Sequence, residues 1–279
     1  MTKTKLFWII ATIITLLSAT YQRVTGPTYP LSGKAQIENK LISYKFERSH
    51  DTDSDYILSI EAGDRTIKGI LFWRRYKFDK SFTPIEMKPG GSNHLEATIP
   101  RQMAAGKIEY YVKLYRRDSA INLPEDSHVV IRFKDPVPIW ILIPHVLAMF
   151  ISMLLATRTG LEFFNKEPKL KKYTLLTIGV LFVGGFILGP IMQKFAFGEF
   201  WTGIPFGFDL TDNKTLIAMA GWLIALFMLN KSANPKRWVL FASILMLLVY
   251  MIPHSVLGSE LDYNKTEKEN QLIEDTQRK

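Results

Sequence analysis

Residues 189–214, GPIMQKFAFGEFWTGIPFGFDLTDNK, lie between two long apolar segments and decide how the chain is organised. Glycine and proline recur here too often for one regular helix, and aromatic residues are too frequent for a hydrophilic loop. Phenylalanine and tryptophan settle at the headgroup level of a bilayer, whereas Glu199, Asp209 and Asp212 need water or a cation. The stretch therefore predicts a folded aromatic cap at a membrane surface, with residues 194–214 as its external loop.

The composition predicts a protein that is partly soluble and partly embedded in a membrane. Of its 279 residues, 47% are hydrophobic, and the mean hydropathy is +0.05. The net charge of +9 comes from Lys and Arg beside apolar runs, so we interpret it as setting membrane orientation and expect no nucleic-acid partner. The absence of cysteine excludes disulfides, Cys-ligated zinc, iron–sulfur clusters and thiol catalysis.

The N-terminal segment has the features of an export signal. Lys3 and Lys5 precede the apolar run LFWIIATIITLLSA, whose length lies between that of a signal peptide and that of a membrane anchor. Ala19 suits the position before a cleavage site, but Leu17 is large where a small residue is preferred. We predict that residues 1–25 form an uncleaved signal anchor, and a cleaved signal peptide is the alternative. Both interpretations export the residues that follow.

Residues 26–137 show short alternating runs separated by turn residues, the pattern of an antiparallel β-sandwich. This predicts an external all-β domain of about seven strands, at 42–46, 56–60, 67–76, around Ile85, 95–99, 108–114 and 129–133. The run AGKIEYYV, residues 105–112, resembles the approach to a late strand of fibronectin-type and immunoglobulin-like domains, in which a corner tyrosine ties a loop to the strand. The resemblance implies that Tyr110 is this tyrosine and that Trp73 is the core aromatic residue; it fixes architecture and no ligand.

Residues 138–257 predict a bundle of four transmembrane helices, at 139–157, 173–192, 215–229 and 238–256. Pro136 and Pro138 end the sandwich before the first of these helices. The four-residue spacing of Gly185 and Gly189 lets membrane helices approach closely, and we expect it to serve packing within the chain rather than dimerisation.

The positions of the basic residues predict the orientation of the chain. The segments 158–172 and 230–237 are rich in Lys and Arg and are therefore expected in the cytoplasm, together with the N-terminus. The sandwich, the aromatic cap and a mobile tail, residues 258–279, would then be periplasmic. We expect the location to be the inner (cytoplasmic) membrane of a bacterium. Residues 200–214 together with IPHSVLGSELDY, residues 252–263, resemble bacterial inner-membrane proteins with no assigned activity, which implies location and no chemistry.

The tripeptide Ile-Pro-His occurs twice, near the predicted outer ends of two spans, and ends at His145 and at His254. If these helices are neighbours, the imidazoles can ligate a haem b iron or, with carboxylates, a divalent metal. The alternative is that each histidine hydrogen-bonds a backbone carbonyl freed by a proline kink. The acidic residues that could complete a metal site are Asp209, Asp212, Glu260 and Asp262. We expect Asp212 to cap the next helix instead, whereas Asp209 has no such explanation.

The candidate partner surface consists of Trp73, Arg74 and Arg75 in the β domain and Trp201 in the cap, because aromatic faces and guanidinium groups bind sugars and anionic peptides. The alternative for the first three is a strand with tryptophan inward and arginine outward. His50, His94 and His128 are expected to be solvated.

The chain contains no nucleophile elbow, phosphate loop or zinc-protease motif. We therefore expect a non-enzymatic inner-membrane protein that is embedded in lipid and presents its periplasmic β-sandwich to another envelope protein. The alternative is a membrane redox or metal-binding protein that uses His145 and His254.

Overall fold

The computed structural model describes residues 2–253, 258, 260–265 and 267–268, and these form two compact units. The helical unit is drawn from residues 1–27 and 137–258, and the β unit from residues 28–136 and 259–279. The β unit therefore contains both the central β-rich region and the described residues of the C-terminal segment.

The helical unit consists mostly of long apolar helices. Its α-helices are α1 (Lys3–Thr25), α2 (Ile139–Gly160), α3 (Leu170–Phe182), α4 (Gly189–Phe197), α5 (Leu210–Lys231) and α6 (Pro235–Met251). A 3-10 turn, Leu161–Phe164, extends α2, and a π-helical segment, Val183–Leu188, joins α3 to α4. Small and apolar residues such as Ala156, Ala218, Trp222, Ala225 and Met246 form the buried core between the helices.

Within the described part of the chain, four helical segments are long and apolar enough to cross a membrane: Lys3–Thr25, Ile139–Phe164, Leu170–Phe197 and Leu210–Lys231. One of them precedes the β region and three follow it, so the prediction of four spanning helices after the β region is not met by the described residues. The helix α6 is shorter, with 17 residues. Large apolar side chains such as Leu17, Ile139 and Phe227 lie exposed on these helices, as expected for a lipid-facing surface.

The aromatic cap differs from its predicted form at both ends. Its first part is helix α4, because Pro190 falls in the first turn, where its missing N–H costs no hydrogen bond. Gly198 ends α4 with a φ of 84°, a conformation that favours glycine. The helix α5 begins at Leu210, five residues before the predicted start at residue 215. The irregular part of the cap is therefore limited to residues 198–209.

The β unit contains the predicted strands and several short ones that the alternation did not reveal. The strands are β1 (Leu31–Ile37), β2 (Lys40–Phe46), β3 (Ser49–Asp51), β4 (Tyr56–Glu61), β5 (Lys68–Arg75), β6 (Thr83–Glu86), β7 (Lys88–Pro89), β8 (His94–Ile99), β9 (Lys107–Arg116), β10 (Ser119–Leu123) and β11 (Val129–Lys134). The strands β1, β3, β7 and β10 were not predicted, since two of them are very short and the others carry few alternating apolar residues.

The strands form three sheets within residues 31–134. The largest has the order β3-β11-β9-β5-β6, with β10 also paired to β9; the others are β4-β8-β7 and β1-β2. Alternate residues of β4, β8, β9 and β11 point into one apolar core, as expected for sandwich-like packing. Tyr110 is fully buried in this core, and its hydroxyl donates to the carbonyl of Glu47, 2.9 Å away, in the turn between β2 and β3. This bond is the one expected of a corner tyrosine.

Candidate functional site

His145 lies on α2 and faces the π-helical segment of the same unit. Its Nδ1 is 3.0 Å from the carbonyl oxygen of Gly184, and because a carbonyl can only accept, Nδ1 carries the donated proton. The neutral ring then keeps its lone pair on Nε2, the arrangement usual for a metal-binding histidine with a backbone partner. The alternative was a bond from the histidine to a backbone carbonyl freed by a proline kink. A bond to a carbonyl is present, but the Gly184 oxygen also accepts from the Gly189 amide and is not a freed group. His254 lies outside the described residues, so the proposed pairing of the two rings stays a prediction.

Close helix packing surrounds this histidine. A Cβ atom on Gly184 would lie 3.0 Å from Ala148 Cβ, and one on Gly185 would lie 2.6 Å from Thr215 Cγ2. A Cβ atom on Gly189 would lie 3.3 Å from the carbonyl oxygen of Gly184 and 3.5 Å from Cε1 of His145. The glycines therefore allow α2 and α5 to approach the π-helical segment, which is the packing within the chain that their spacing predicted.

The acidic residues of the cap, Asp209 and Asp212, have structural roles that differ from the predicted ones. Asp209 is the N-cap of α5, and its side chain accepts a hydrogen bond from the Thr211 amide at 2.8 Å. Asp212 is buried in the first turn, and its Oδ2 accepts from the amides of Thr202 and Gly203 at 2.7 and 3.0 Å. The prediction that Asp212 caps the helix is therefore wrong, and the Asp212 carboxylate instead holds the loop of the cap against α5.

Trp201, predicted as a partner contact, also takes part in the fold of the cap. Its indole N–H donates to the carbonyl of Ile204 at 3.1 Å, and its ring stacks on Phe186 with the centroids 5.7 Å apart. By contrast, Phe206 and Phe208 are 82% and 89% exposed. These two side chains are the apolar outer edge of the cap.

A buried ion pair in the helical unit was not predicted. Arg158 and Glu162 lie 2.6 Å apart, and each side chain is 1% exposed. The guanidinium also lies 4.8 Å from the ring centroid of Tyr173, 5.4 Å from that of Trp8 and 5.5 Å from that of Phe7. Aromatic faces attract a cation that has lost its water. Arg158 falls in the predicted cytoplasmic segment 158–172, although an arginine followed by an acid four residues later is a helical ion-pair spacing.

The predicted partner residues of β5 are mostly engaged within the β unit. Trp73 is half-buried and packs against the core. Arg74 lies 2.7 Å from Glu109 and 4.4 Å from the ring centroid of Phe82. Arg75 pairs with Asp79 at 2.9 Å. The tryptophan is therefore inward, as in the alternative interpretation, and both guanidinium groups have acidic partners.

The outer face of the largest sheet carries an aromatic cluster that the sequence interpretation missed. The rings of Phe72 and Tyr111 stack with centroids 4.9 Å apart, and His128 stacks on Tyr111 at the same distance. Phe82 meets both Tyr111 and His128 edge-on at 5.1 Å. We call these four side chains the Tyr111 face. The alternation of β5 and β9 would have revealed it, because Phe72 and Tyr111 have the opposite parity to the buried Leu71 and Tyr110.

A shallow recess of about 400 Å³ adjoins the Tyr111 face. It is lined by Tyr111, Asn122, Pro124, Glu125, Asp126, Ser127 and His128. His128 lies 2.9 Å from Oε1 of Glu109. The His128 side chain is 41% exposed, as expected of a solvated histidine, but its ring also contacts Glu109, Phe82 and Tyr111. The recess combines ring faces with carboxylate and amide groups, which suits a polar partner group.

The described C-terminal residues bind a second region of the β unit. Glu260 lies 2.7 Å from Lys107 and 3.2 Å from Lys77, and Glu267 lies 2.7 Å from Arg75. Partial burial opposes ionisation of Glu260, but the hydrogen bonds and charges of the two lysines outweigh it and lower the pKa of its carboxyl. Asp262 accepts hydrogen bonds from the Asn264 and Lys265 amides.

These contacts bear on the predicted metal site. Among the described residues, no three histidine or acidic side chains lie close enough together to hold a metal ion. Of the predicted ligands, Glu260 and Asp262 belong to the β unit, whereas His145, Asp209 and Asp212 have separate partners in the helical unit. A site that includes His254 lies partly outside the described residues.

Comparison of the chain with models of protein families gives no match, and comparison with curated proteins gives none either.

Proposed function

We propose that the chain is a non-enzymatic protein of the bacterial inner membrane that presents an immunoglobulin-like β-sandwich to another envelope protein. The observation that carries this proposal is the Tyr111 face. Four ring side chains lie on the outer side of a sheet whose inner side already forms the core, and a recess adjoins them. Aromatic residues with polar neighbours are typical of interface hot spots.

The orientation in this proposal places the N-terminus and the basic segments in the cytoplasm and the sandwich in the periplasm. It is supported by the clustering of Lys and Arg in the segments 158–172 and 230–237. Since the natural chain has no cysteine, single-cysteine variants give a clean test. A membrane-impermeant maleimide should label Ser127→Cys in intact spheroplasts and should label Glu167→Cys only after permeabilisation. The reverse pattern would contradict the orientation.

Partner docking is tested by photo-crosslinking in cells. A photoreactive amino acid at Asn122, an exposed position lining the recess, should form a discrete adduct that Tyr111→Ala abolishes. The same group at Ile57, which is 62% exposed on β4 in another sheet, is the matched control and should form no such adduct. Equal adducts at both positions, or an adduct at Asn122 that survives Tyr111→Ala, would contradict docking at this face.

A second candidate function is haem b or divalent-metal binding by His145 and His254. The observation that favours it is the bond from Nδ1 of His145 to Gly184, which leaves Nε2 as the ligating atom. Purified protein should then show a haem absorption band or a stoichiometric metal, and His145→Ala should remove either one. A folded preparation with neither would count against this function.

A further inference from the structure

The C-terminal segment occupies a defined surface of the β unit. We call this surface the basic patch; it consists of Arg75, Lys77, Phe78, Gln102 and Lys107. The segment, residues 260–268 as far as they are described, contributes two carboxylates and one tyrosine to it. The segment therefore contacts the patch through the tyrosine as well as through its charges.

Tyr263 is the centre of the contact. Its hydroxyl accepts from the Lys107 amide at 3.1 Å and lies 3.1 Å from the Lys107 carbonyl, to which it can donate. Its ring packs on Phe78 with the centroids 5.5 Å apart, and the guanidinium of Arg75 lies 5.4 Å from the ring centroid. A main-chain bond from the Leu261 amide to the Ala105 carbonyl, at 3.1 Å, adds to these contacts.

The ion pairs around Tyr263 are at the surface. The side chain of Lys107 is 16% exposed, whereas those of Glu260 and Glu267 are 38% and 48% exposed. Exposed ion pairs are individually weak and are screened by salt. The segment is therefore held by surface ion pairs, by the buried Tyr263 side chain with its hydroxyl hydrogen bonds, and by the main-chain bond of Leu261. A peptide that carries the same groups has the chemistry to compete for this surface.

We propose that the basic patch is a docking site for an acidic, tyrosine-containing peptide of a partner protein, and that the described residues 260–265 and 267–268 occupy it as an intramolecular ligand. The groups recognised are a carboxylate, a tyrosine three residues later and a second carboxylate four residues after that, as in Glu260, Tyr263 and Glu267. This site uses different residues from the Tyr111 face. Either docking site can therefore fail experimentally without the other.

The test measures binding of a labelled peptide, GSELDYNKTEK (residues 258–268), to the purified protein in detergent by fluorescence anisotropy. A variant of the chain that ends at Gly258 should bind the peptide. The full chain should bind it at least about tenfold more weakly, because a tethered segment competes at an effective concentration of about millimolar. A peptide in which Tyr263 is replaced by Ala should bind the shortened chain more weakly.

Two charge-reversal variants test whether the peptide binds at the basic patch. Lys107→Glu in the shortened chain should weaken peptide binding by about tenfold, the change that loss of one charge-assisted contact produces. Lys113→Glu is the control, since Lys113 lies on the same strand and lies over the Tyr115 ring, away from the segment. Equal binding by the two variants, or no binding by a shortened chain whose circular dichroism is unchanged, would overturn the proposal.

A second variant keeps the test decisive if the shortened chain does not fold. The full chain with Glu260→Ala and Glu267→Ala should bind the peptide more tightly than the natural full chain, since its own segment is released. No gain in affinity would overturn the proposal. A concentration-dependent dimer of the full chain that Lys107→Glu abolishes would instead assign the patch to the tail of a second copy, and would equally overturn the intramolecular arrangement.

Discussion

Arg158 and Glu162 form an ion pair 2.6 Å long with both side chains 1% exposed, in the part of the helical unit where α2 continues into its 3-10 turn. Glu162 also accepts from the Lys169 amide at 2.8 Å and from the Asn165 side chain at 3.1 Å, so its carboxylate orders the connection to α3. Burying two charges costs solvation, which the pair recovers only while both partners are present.

Removal of one partner should therefore be much more harmful than removal of both. We expect Arg158→Met alone to destabilise the protein by about 3–5 kcal/mol, and the double variant Arg158→Met/Glu162→Gln, which removes the second charge but keeps an acceptor oxygen for Lys169, to recover much of this loss. The measurement is unfolding of the purified protein in mixed micelles. Arg237→Met, an exposed arginine in the first turn of α6, is the control and should change stability by less than about 0.5 kcal/mol. A single variant no worse than this control would refute the buried pair.

The N-terminal helix is predicted to remain on the mature protein. Phe7 and Ala11 are buried, the ring of Trp8 lies over Arg158, and the Gln22 side chain donates to the carbonyl of Tyr250. Cleavage after Ala19 would remove the first three of these contacts and expose Arg158. Intact mass spectrometry of protein purified from membranes should therefore give a mass that includes residues 3–25. A mass that begins at residue 20 would show instead that the segment is a cleaved signal peptide.

Two glycines of the same span allow a test of helix packing. A Cβ on Gly185 would lie 2.6 Å from Thr215 Cγ2, whereas a Cβ on Gly179 would have no atom within 4 Å. Gly185→Ala should therefore destabilise the protein by about 1–3 kcal/mol through overpacking. Gly179→Ala should be neutral or stabilising by up to about 1 kcal/mol. Thermal denaturation of the two variants measures the difference, and equal effects would show that α5 does not pack against the π-helical segment.

The sequence predicts the elements that have a strong hydrophobic period. The alternation of Ile108, Tyr110 and Val112 identified β9. The apolar runs identified the four helices that are long and apolar enough to cross a membrane, but they also predicted a span at 238–256, where α6 is shorter. Short strands such as β3 and β7 escaped, because two or three residues contain no period to detect. Their pairing depends on neighbouring strands that only the fold brings close.

The candidate sites were harder to predict, since they depend on which residues meet across distant parts of the chain. The sequence places Asp209 and Asp212 near the start of a helix, but which of them is the N-cap depends on the residue at which α5 begins. Likewise, the charged tail suggested mobility, and nothing local indicated that Tyr263 would meet Lys107, 156 residues earlier. Contacts between segments that are distant in the chain leave no periodic pattern in the local sequence.

We expect acid to release the C-terminal segment from the basic patch. The carboxyl of Glu260 faces Lys77 and Lys107, and although partial burial favours its neutral form, these partners lower its pKa below the ordinary value of 4.5. Because this pKa is lowered when the segment is bound, the ionised carboxylate stabilises the contact above pH 4.5. The stabilisation is lost as the pH falls through the lowered pKa and the carboxylate is protonated. The segment should therefore stay bound at neutral pH and loosen in acid.

Hydrogen exchange of the Leu261 amide, which donates to Ala105, measures this release. After correction for the intrinsic effect of pH, protection of this amide should fall below pH 4.5 in the natural chain. In Glu260→Gln it should already be lower at neutral pH and should vary less with acid, because the titrating group is gone. Protection that declines identically in both proteins would mean that another group controls the segment, and the ion pairs of Glu260 would then have no part in holding it.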